Sequence, residues 1–399
     1  MEDLRGRRCV LLKFGELALK GRNRPVFVAA LERNLRQLTA DLAPLDVRHR
    51  GGMLLVSSKT PQEELVDRCL TLPGLSVVQP ALSCQRDPAA AADAAVSLLQ
   101  GRPGRTFAVR AHRRDKSYPL RSIELARVIG DAVRVRLGLE VDLSHPDMTV
   151  YVELDNRELL VSGERLRGAG GLPVGTSGRA MVLLSGGLDS PVAAYRMMKR
   201  GLRCDFVHFS GRPFTGPESI YKAYALVGRL DRFQGDSRLF IVSFGPAQRR
   251  LATAGAGRLQ VLSQRRLMVK VASALGRREG ADALVTGDSL GQVASQTLPN
   301  LAVVEEAAEL PLLRPLVDRD KAEIVDIARR LGTYEISILP DEDCCQLFSS
   351  RLAVTRGHSD DLRRIERTAD AEEMVDELVS QAELFHPELE PRAPALAPV

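Results

Sequence analysis

The chain has 399 residues and a formal net charge of +5, with 44% hydrophobic and 27% charged residues. This length predicts two or three domains that each bury a core, and the composition excludes a chain that is disordered as a whole. The apolar runs are much shorter than the roughly 18 residues that span a bilayer. The first residues lack an apolar leader segment, and six scattered cysteines do not make a disulfide framework. We therefore expect a cytoplasmic protein with no membrane partner.

Basic side chains are concentrated in the first part of the chain. Residues 1–180 carry 28 basic and 21 acidic side chains, a balance of +7, whereas residues 181–399 carry 28 and 30, a balance of −2. This asymmetry favours a polyanionic partner, and a solvated surface in an arginine-rich chain is the alternative. Because aromatic residues make up only 4% of the chain, recognition of shape and phosphate is favoured over base stacking.

The first 167 residues predict two small α+β units, at 1–60 and 61–167. The first unit begins with a strand, a basic loop and a helix opened by Pro25. It ends in a hairpin around Gly51-Gly52. The predicted strands are at 8–14, 45–50, 53–57, 75–82, 106–111, 140–143, 148–154 and 158–163. Two helices are predicted to start at Pro25 and Pro61, and two more to span 88–100 and 122–137. Residues 168–178 are rich in glycine and predict a linker.

Residues 179–390 predict a doubly wound α/β domain with a parallel sheet. Residues 180–184 form a continuous apolar run, which is typical of a strand buried on both faces. Strands and helices then alternate. The strands are expected at 203–209, 238–243 and 282–286, further segments at 301–305 and 311–313, and helices at 191–200, 217–231, 257–278, 319–331 and 359–385. The proline-rich residues 391–399 are expected to be frayed.

The most specific motif is Ser-Gly-Gly-Leu-Asp-Ser at 185–190, directly after the first apolar strand and before Pro191. A strand, a glycine pair and a helix with proline in its first turn aim backbone N–H groups at an anion. Asp189 would repel bare phosphate, so we expect it to hold Mg²⁺ or to stabilise the loop. The motif resembles the pyrophosphate loop of the ATP pyrophosphatase superfamily rather than a Walker loop. The predicted loop contacts to ATP are Ser185, Gly186, Gly187, Asp189 and Ser190.

Other predicted strand ends support a nucleotide site, because ligands of open α/β sheets bind beyond the carboxyl ends of strands. These ends carry Leu183 with Leu184, His208 with Phe209, and the Thr286–Asp288 segment. Phe209 could line an adenine slot, and Gly287 allows close approach of the backbone. His208 taken alone is more often a structural histidine.

Together these motifs resemble the ThiI family of tRNA 4-thiouridine synthetases over about residues 8–350. Residues 13–16 and 19–23 are similar to its N-terminal ferredoxin-like domain, and residues 116–120, 122–126 and 146–153 to its THUMP domain. The segments at 171–178, 185–193, 286–297, 314–316, 320–321 and 342–345 match the rest of the family pattern in order.

The resemblance implies an N-terminal ferredoxin-like α+β domain, a THUMP α+β RNA-binding domain and a C-terminal PP-loop ATP pyrophosphatase domain. The first two would dock the acceptor arm of tRNA. The third would bind ATP and Mg²⁺ and adenylate the C4 oxygen of uridine 8. Sulfur from a persulfide would then displace AMP to give 4-thiouridine. The candidate tRNA-binding residues are Lys13, Lys20, Arg22, Arg113, Arg114 and Lys116.

The family's other site residues also map onto this sequence. Its ATP contacts fall on Leu183, Leu184, His208, Phe209, Arg265, Gly287 and Gln296. Either Arg265 or Arg266 could be the phosphate contact, with a solvated helix face as the alternative for both. Lys321 would clamp a transferring phosphate. Its alternative is a surface lysine at a helix start that Asp320 caps.

Cys344 and Cys345 are the candidates for handling sulfur. Neighbouring acids raise a thiol pKa, so the local sequence does not itself indicate a reactive cysteine. The family spacing favours Cys345 over Cys344, and two buried structural cysteines are the alternative. Without a Cys-x-x-Cys pattern we expect no metal site, and Cys9, Cys69, Cys84 and Cys204 are interpreted as core residues.

The chain departs from some family members because no rhodanese domain and no cysteine follow Cys345. We therefore expect sulfur to come from a separate donor, a cysteine desulfurase. The alternative functions are sulfur transfer to the carrier protein ThiS for thiamine thiazole synthesis and ATP-independent tRNA binding. A homodimer is a further expectation at the level of the family. Asp288 stands where the family often has glutamate.

Overall fold

A computed structural model describes residues 6–340, 347–348 and 354–387. The chain divides into two compact units, one through Gly170 and the other from Gly171. Each unit contains its own β-sheet. Among the described residues, no helix has the length and apolar composition needed to cross a membrane.

The first unit is built on one nine-stranded mixed sheet with the order β2-β3-β1-β4-β8-β7-β5-β6, and β9 pairs with β4. The strands are β1 (Arg7–Phe14), β2 (Asp46–Arg50), β3 (Met53–Ser57), β4 (Leu75–Cys84), β5 (Thr106–Arg113), β6 (Glu140–Val141), β7 (Met148–Leu154), β8 (Leu159–Ser162) and β9 (Leu166–Arg167). The helices are α1 (Arg24–Leu38), α2 (Gln62–Leu70), α3 (Pro88–Leu99) and α4 (Ser122–Leu137). Because β1 pairs with both β3 and β4, the sheet runs without a break through the expected boundary at residue 60.

Local sequence explains how the helices of this unit begin and end. Asp87 accepts hydrogen bonds from the N–H groups of Ala89 and Ala90 at the start of α3. Gly138 ends α4 in the left-handed conformation, at φ 67°. The two helices bury small and branched apolar side chains against β5, β7 and β8. This packing fixes the strands that carry the basic residues described below.

The second unit is the predicted doubly wound α/β domain. Its strands are β10 (Arg179–Leu183), β11 (Arg203–Ser210), β12 (Leu239–Ser243), β13 (Ala283–Val285), β14 (Leu312–Leu313) and β15 (Glu383–Phe385). Its helices are α5 (Asp189–Lys199), α6 (Glu218–Asp231), α7 (Gly245–Thr253), α8 (Gln260–Arg278), α9 (Leu298–Glu305), α10 (Lys321–Leu331), α11 (Tyr334–Ser337), α12 (Ser359–Thr368) and α13 (Ala371–Ser380). The order is β14-β13-β10-β11-β12-β15, and only β15 runs antiparallel to its neighbour.

Both faces of this sheet are covered, which explains the unbroken apolar run in β10. Met181 belongs to the core on the side of α8, whereas Ala180 and Val182 belong to the core on the side of α5 and α10. The strands that follow β10 in the chain lie on both sides of it, since β11 pairs with one edge and β13 with the other. The sheet therefore has its topological switch point beside β10, which is where ligands of such sheets bind.

The prediction of one acidic helix over 359–385 was wrong. The segment forms α12 and α13, which are separated at Asp370 (φ 54°), and then β15, which pairs with the edge of β12. At about 100° per residue, an unbroken helix would place Leu362 and Ile365 opposite Met374 and Leu378. The break lets both apolar pairs join the same core. Helix α7 lies in a stretch for which the sequence predicted no element.

A buried ion pair joins α8 to α12, and its loss should destabilise the unit. The Arg266 side chain is 3% exposed, and its Nε and Nη2 atoms donate to the Glu366 carboxylate at 2.5 and 3.2 Å. Glu366→Gln removes the carboxylate that receives two hydrogen bonds from this guanidinium and leaves it only the more distant Glu306 carboxylate, at 3.7 Å. We therefore expect a loss of about 3 kcal/mol in the free energy of unfolding. Urea unfolding followed by circular dichroism measures this change.

Asp361→Asn is the matched control, because it removes a carboxylate of α12 that pairs with Arg364 at the surface. Exposed pairs of this kind contribute little. A shift for Glu366→Gln no larger than that of the control would contradict the structural role of the buried pair.

Candidate nucleotide site and basic surface

The loop between β10 and α5 is held closed by its two serines. The Ser185 N–H donates to Ser190 Oγ at 2.9 Å, and the two hydroxyl oxygens lie 3.1 Å apart. The Gly187 N–H donates to Ser185 Oγ at 3.3 Å. The amino terminus of α5 follows at once, so its partial positive charge lies at this loop. The predicted anion-binding loop thus has an ordered shape that its own hydroxyl groups stabilise.

Asp189 and Lys321 lie together at this loop although 132 residues separate them. Lys321 Nζ donates to Asp189 Oδ1 at 2.8 Å, and Gln292 Nε2 donates to Asp189 Oδ2 at 3.2 Å. Asp320 caps α10 by accepting from the Glu323 N–H at 2.9 Å, and this cap places Lys321 in the first turn. The sequence predicted the two charged residues separately, and it did not single out Gln292.

Gly287 follows β13 and lies against the start of α5. A β-carbon at this position would be 2.7 Å from the Ser190 nitrogen and 2.9 Å from the Asp189 carbonyl carbon. Both atoms belong to backbone, so neither can move away cheaply. The sequence predicted that Gly287 lets the backbone come close to an adenine slot, and this stays a prediction. In the structure, Gly287 allows the loop to pack against the first turn of α5.

Asp288 gathers the polar side chains next to Gly287. This residue is 4% exposed, and its carboxylate contacts the guanidinium groups of Arg265 and Arg314, the latter at 3.4 Å. It also accepts from Thr286 Oγ1 at 2.9 Å and from Gln296 Nε2 at 3.4 Å. Arg265 and Gln296 are therefore held at one carboxylate. Sequence reasoning had assigned no role to Arg314.

The structure separates the two neighbouring arginines of α8. Arg266 is used in the buried pair with Glu366. Arg265 points instead to the Asp288 carboxylate, and 16% of its side chain is exposed. Of the two, only Arg265 lies beside the loops of the candidate site.

His208 and Phe209 are buried at the end of β11. His208 Nδ1 lies 3.0 Å from the Leu184 carbonyl oxygen, and Nε2 lies 3.3 Å from Ser219 Oγ. Phe209 is 5% exposed and packs edge-on against Phe244, with ring centroids 5.3 Å apart. Both rings therefore support the strand ends from within the protein, and their predicted contact with ATP stays a prediction.

Cys344 and Cys345 lie outside the described residues. The described residues on either side of them make hydrogen bonds with other parts of the second unit. Ser337 Oγ donates to the Gly187 carbonyl at 3.3 Å, Lys222 Nζ donates to the Leu339 carbonyl at 2.7 Å, and Gln264 Nε2 donates to the Leu347 carbonyl at 3.0 Å. Sequence reasoning singled out none of these three donors.

The basic residues predicted to bind tRNA have different surroundings in the first unit. Lys13 and Arg114 both contact the Glu153 carboxylate. Arg113 donates to the carbonyl oxygens of Tyr118 and Leu120 at 2.7 and 3.0 Å, which ties it to its own loop. Lys20 Nζ lies 4.9 Å from the centre of the Phe27 ring, and Arg22 and Lys116 are exposed.

The contact at Gly287 leads to a testable prediction. Gly287→Ala forces the loop after β13 away from α5, because backbone atoms occupy the space of the new methyl group. We expect ATP affinity to fall at least about tenfold, since displacements of about an ångström are costly in such sites. Isothermal titration with ATP measures the change. Gly130→Ala in α4 is the control, because its φ is not positive and a β-carbon there would lie 3.8 Å from its nearest atom, Val109 Cγ2, which is ordinary contact. Equal effects of both substitutions on ATP affinity would contradict the packing argument.

The four cysteines outside the candidate sulfur site should be inert in the folded protein. Burial, aided by the nearby Glu158 carboxylate, raises the pKa of the Cys9 and Cys84 thiols to about 12. Burial alone raises the pKa of Cys69 to about 12, and burial also raises that of Cys204. We expect iodoacetamide at about pH 8 to leave all four unlabelled, because the thiolate is the nucleophile.

Peptide mass spectrometry after labelling, with and without urea, tests this expectation. Any thiol labelled in the native protein is then Cys344 or Cys345. Native labelling of Cys69 or Cys204 would contradict the burial found here.

Comparisons with known proteins agree with the family suggested by the sequence. The ThiI ferredoxin-like domain matches residues 9–78, the THUMP domain matches 90–164, and the thiamine biosynthesis protein (ThiI) family matches 175–370. A probable tRNA sulfurtransferase of Nocardia farcinica is 52% identical over 387 residues, which cover 95% of this chain and 94% of that protein. One of Geobacillus kaustophilus is 38% identical over 378 residues, with 94% of both chains covered.

A solved structure extends the similarity to the fold. The crystal structure of a 4-thiouridine synthetase in complex with RNA and bound ATP superimposes with a TM-score of 0.88 at 31% identity. The match covers 95% of this chain and 99% of that one. The predicted fold class is confirmed, and so is the resemblance drawn from the motifs. The chain belongs to the ThiI family.

Proposed function

We propose that this protein is an ATP-dependent tRNA sulfurtransferase that converts uridine 8 of tRNA into 4-thiouridine. The observation that carries the proposal is the contact between the starts of α5 and α10 at the switch point of the parallel sheet. There, Lys321 Nζ lies 2.8 Å from Asp189 Oδ1, beside the anion-binding loop between β10 and α5. The relatives named tRNA sulfurtransferase and the 4-thiouridine synthetase structure with bound ATP support it.

The geometry suits cleavage of ATP between the α- and β-phosphates. The backbone N–H groups at the start of α5 would bind the pyrophosphate, and Lys321 would neutralise charge as it leaves. Arg265 lies at the neighbouring loop, held by Asp288, and would contact the phosphates from that side. The uridine O4 would attack the α-phosphorus and release pyrophosphate. AMP then becomes the leaving group when the terminal sulfur of a cysteine persulfide attacks C4. This attack leaves a disulfide between that cysteine and C4, and a second thiol, such as the free cysteine of the reaction mixture, reduces it and releases 4-thiouridine.

The residues at the site fit a magnesium ion that would bind mainly to the phosphates of ATP. Within the described part of the chain, no group of three or more His, Cys, Asp or Glu side chains could hold a metal ion. Mg²⁺ often binds through one or two carboxylates together with substrate phosphates, and the Asp189 side chain, 22% exposed at the loop, can provide one. The ion would supply charge neutralisation at the phosphates.

Sulfur delivery is the second half of the proposal. We favour Cys345, with Cys344 as the alternative, as the residue that receives a persulfide from a cysteine desulfurase. Both lie outside the described residues. The preference for Cys345 rests on the family spacing, and the described residues on either side are hydrogen-bonded to α6 through Lys222 and to α8 through Gln264.

The test is formation of 4-thiouridine on unmodified tRNA with ATP, Mg²⁺, cysteine and a cysteine desulfurase, read by mass spectrometry of nucleosides. We expect product that requires ATP. Unmodified uridine 8 in the complete reaction would contradict the proposal. Thiocarboxylate formation on ThiS without tRNA would indicate the carrier protein as the acceptor.

Variants separate the two half-reactions within the same assay. Asp189→Ala should stop pyrophosphate release and leave tRNA binding unchanged. Cys345→Ser should keep pyrophosphate release and stop persulfide-driven thiolation, and Cys344→Ser is its matched control. Full thiolation by Cys345→Ser would show that the assignment to Cys345 is wrong.

A further inference from the structure

Three basic side chains of the first unit converge on one carboxylate, that of Glu153. Lys13 Nζ and Glu153 Oε1 form an ion pair, His112 Nδ1 lies 3.1 Å from Oε2, and Arg114 Nε lies 3.3 Å from the same oxygen. Only 10% of the Glu153 side chain is exposed. The carboxylate is thus enclosed by the cations that it pairs with.

The three cations come from separate parts of the chain. Lys13 is near the end of β1, and His112 lies opposite Glu153 in the register of β5 with β7. Arg114 directly follows β5, and its Nη1 atom also donates to the Gly51 carbonyl in the hairpin between β2 and β3, at 2.7 Å. Glu153 therefore joins the edge of the hairpin, β1 and β5 into one basic surface.

This cluster retains positive charge after pairing. Lys13 and Arg114 bring two positive charges to the single negative charge of Glu153. Burial acts to raise the pKa of Glu153, but the hydrogen bond and charge of Lys13, with the charges of Arg114 and His112, hold that pKa below its usual value. The carboxylate is therefore ionised at neutral pH.

The cationic groups remain within reach of a ligand. The exposed fractions of the side chains are 19% for Lys13, 27% for Arg114 and 65% for His112. Lysine has three N–H donors and arginine five, so each can contact Glu153 and a phosphate oxygen together. Long basic side chains that are already ordered lose less conformational entropy when they bind.

We propose that Glu153 is a positioning residue for RNA, which holds Lys13, His112 and Arg114 in place as one site for backbone phosphates. The inference rests on the proposed function, since that function requires tRNA binding. It goes further by giving a negatively charged residue a favourable role in binding a polyanion.

The inference predicts that removal of the Glu153 carboxylate lowers the affinity for RNA, which is the opposite of the usual effect. Removing a carboxylate from a basic surface normally strengthens binding to nucleic acid, because the net positive charge rises. If Glu153 orders the cations, its removal weakens binding instead. A structural role alone would not change the number of phosphate contacts.

The experiment measures the Kd of full-length protein for tRNA by filter binding over a series of salt concentrations, without ATP or sulfur donor. We expect Glu153→Gln to weaken binding about fivefold, the scale of losing one ordered charged contact. We also expect the slope of log K against log salt to become shallower by about one phosphate contact. Glu164→Gln is the control, because it makes the same charge change in the same unit at an exposed pair with Arg102. It should leave the affinity unchanged or slightly raise it.

Binding by Glu153→Gln that equals or exceeds the wild type would overturn the inference. So would fully additive effects of Glu153→Gln and Lys13→Ala in the double variant, because the part of the Glu153 effect that acts through Lys13 is lost once Lys13 is removed. If Glu153→Gln unfolds, as circular dichroism would show, Glu153→Asp takes its place. That variant keeps the charge but shortens its reach, and we expect a weaker Kd than that of the wild type, whereas wild-type binding by it would overturn the inference.

The tRNA-binding measurements do not depend on catalysis. Absence of 4-thiouridine in the complete reaction contradicts the proposed function but leaves these binding constants readable. Unchanged binding by Lys13→Ala and Arg114→Ala would instead overturn the inference alone, since it would locate the RNA contacts elsewhere.

Discussion

The candidate active site depends on one steric constraint, the close approach of two loops at the switch point of the parallel sheet. The loop after β13 lies so near the first turn of α5 that residue 287 has no room for a β-carbon. This approach brings the carboxylates of Asp189 and Asp288 to the same edge of the sheet. It follows from β10 and β13 being adjacent parallel strands, whose carboxyl ends meet at one edge.

Carboxylates organise cations in both units of this protein. Asp189 pairs with Lys321, Asp288 with Arg265 and Arg314, and Glu153 with Lys13, His112 and Arg114. Lysine and arginine side chains lose much conformational freedom when they are ordered. A buried or half-buried carboxylate imposes that order before a phosphate ligand arrives. The same arrangement would therefore serve ATP at one site and an RNA backbone at the other.

Buried pairing also separates residues that look alike in the sequence. Arg265 and Arg266 are adjacent on α8, so they project in directions about 100° apart. Arg266 enters the core and stabilises the contact with α12, whereas Arg265 reaches the site edge. Likewise, Arg113 supports its own loop while Arg114 joins the cluster around Glu153. Equal charge thus results in different roles because the helix or strand directs successive side chains to different surroundings.

The sequence alone determined the features that depend on local order along the chain. Apolar periodicity, turn residues and the Ser185–Ser190 motif predicted the parallel sheet and its phosphate loop, and the resemblance of motifs over about residues 8–350 indicated the family. Contacts between distant segments were decided only by the tertiary structure. Examples are the pair of Asp189 with Lys321, the space available at residue 287, the choice between Arg265 and Arg266, and the break at Asp370. The physical reason is that local patterns record which residues are buried and where elements end. The partner of a buried charge depends instead on which strands are neighbours in the sheet.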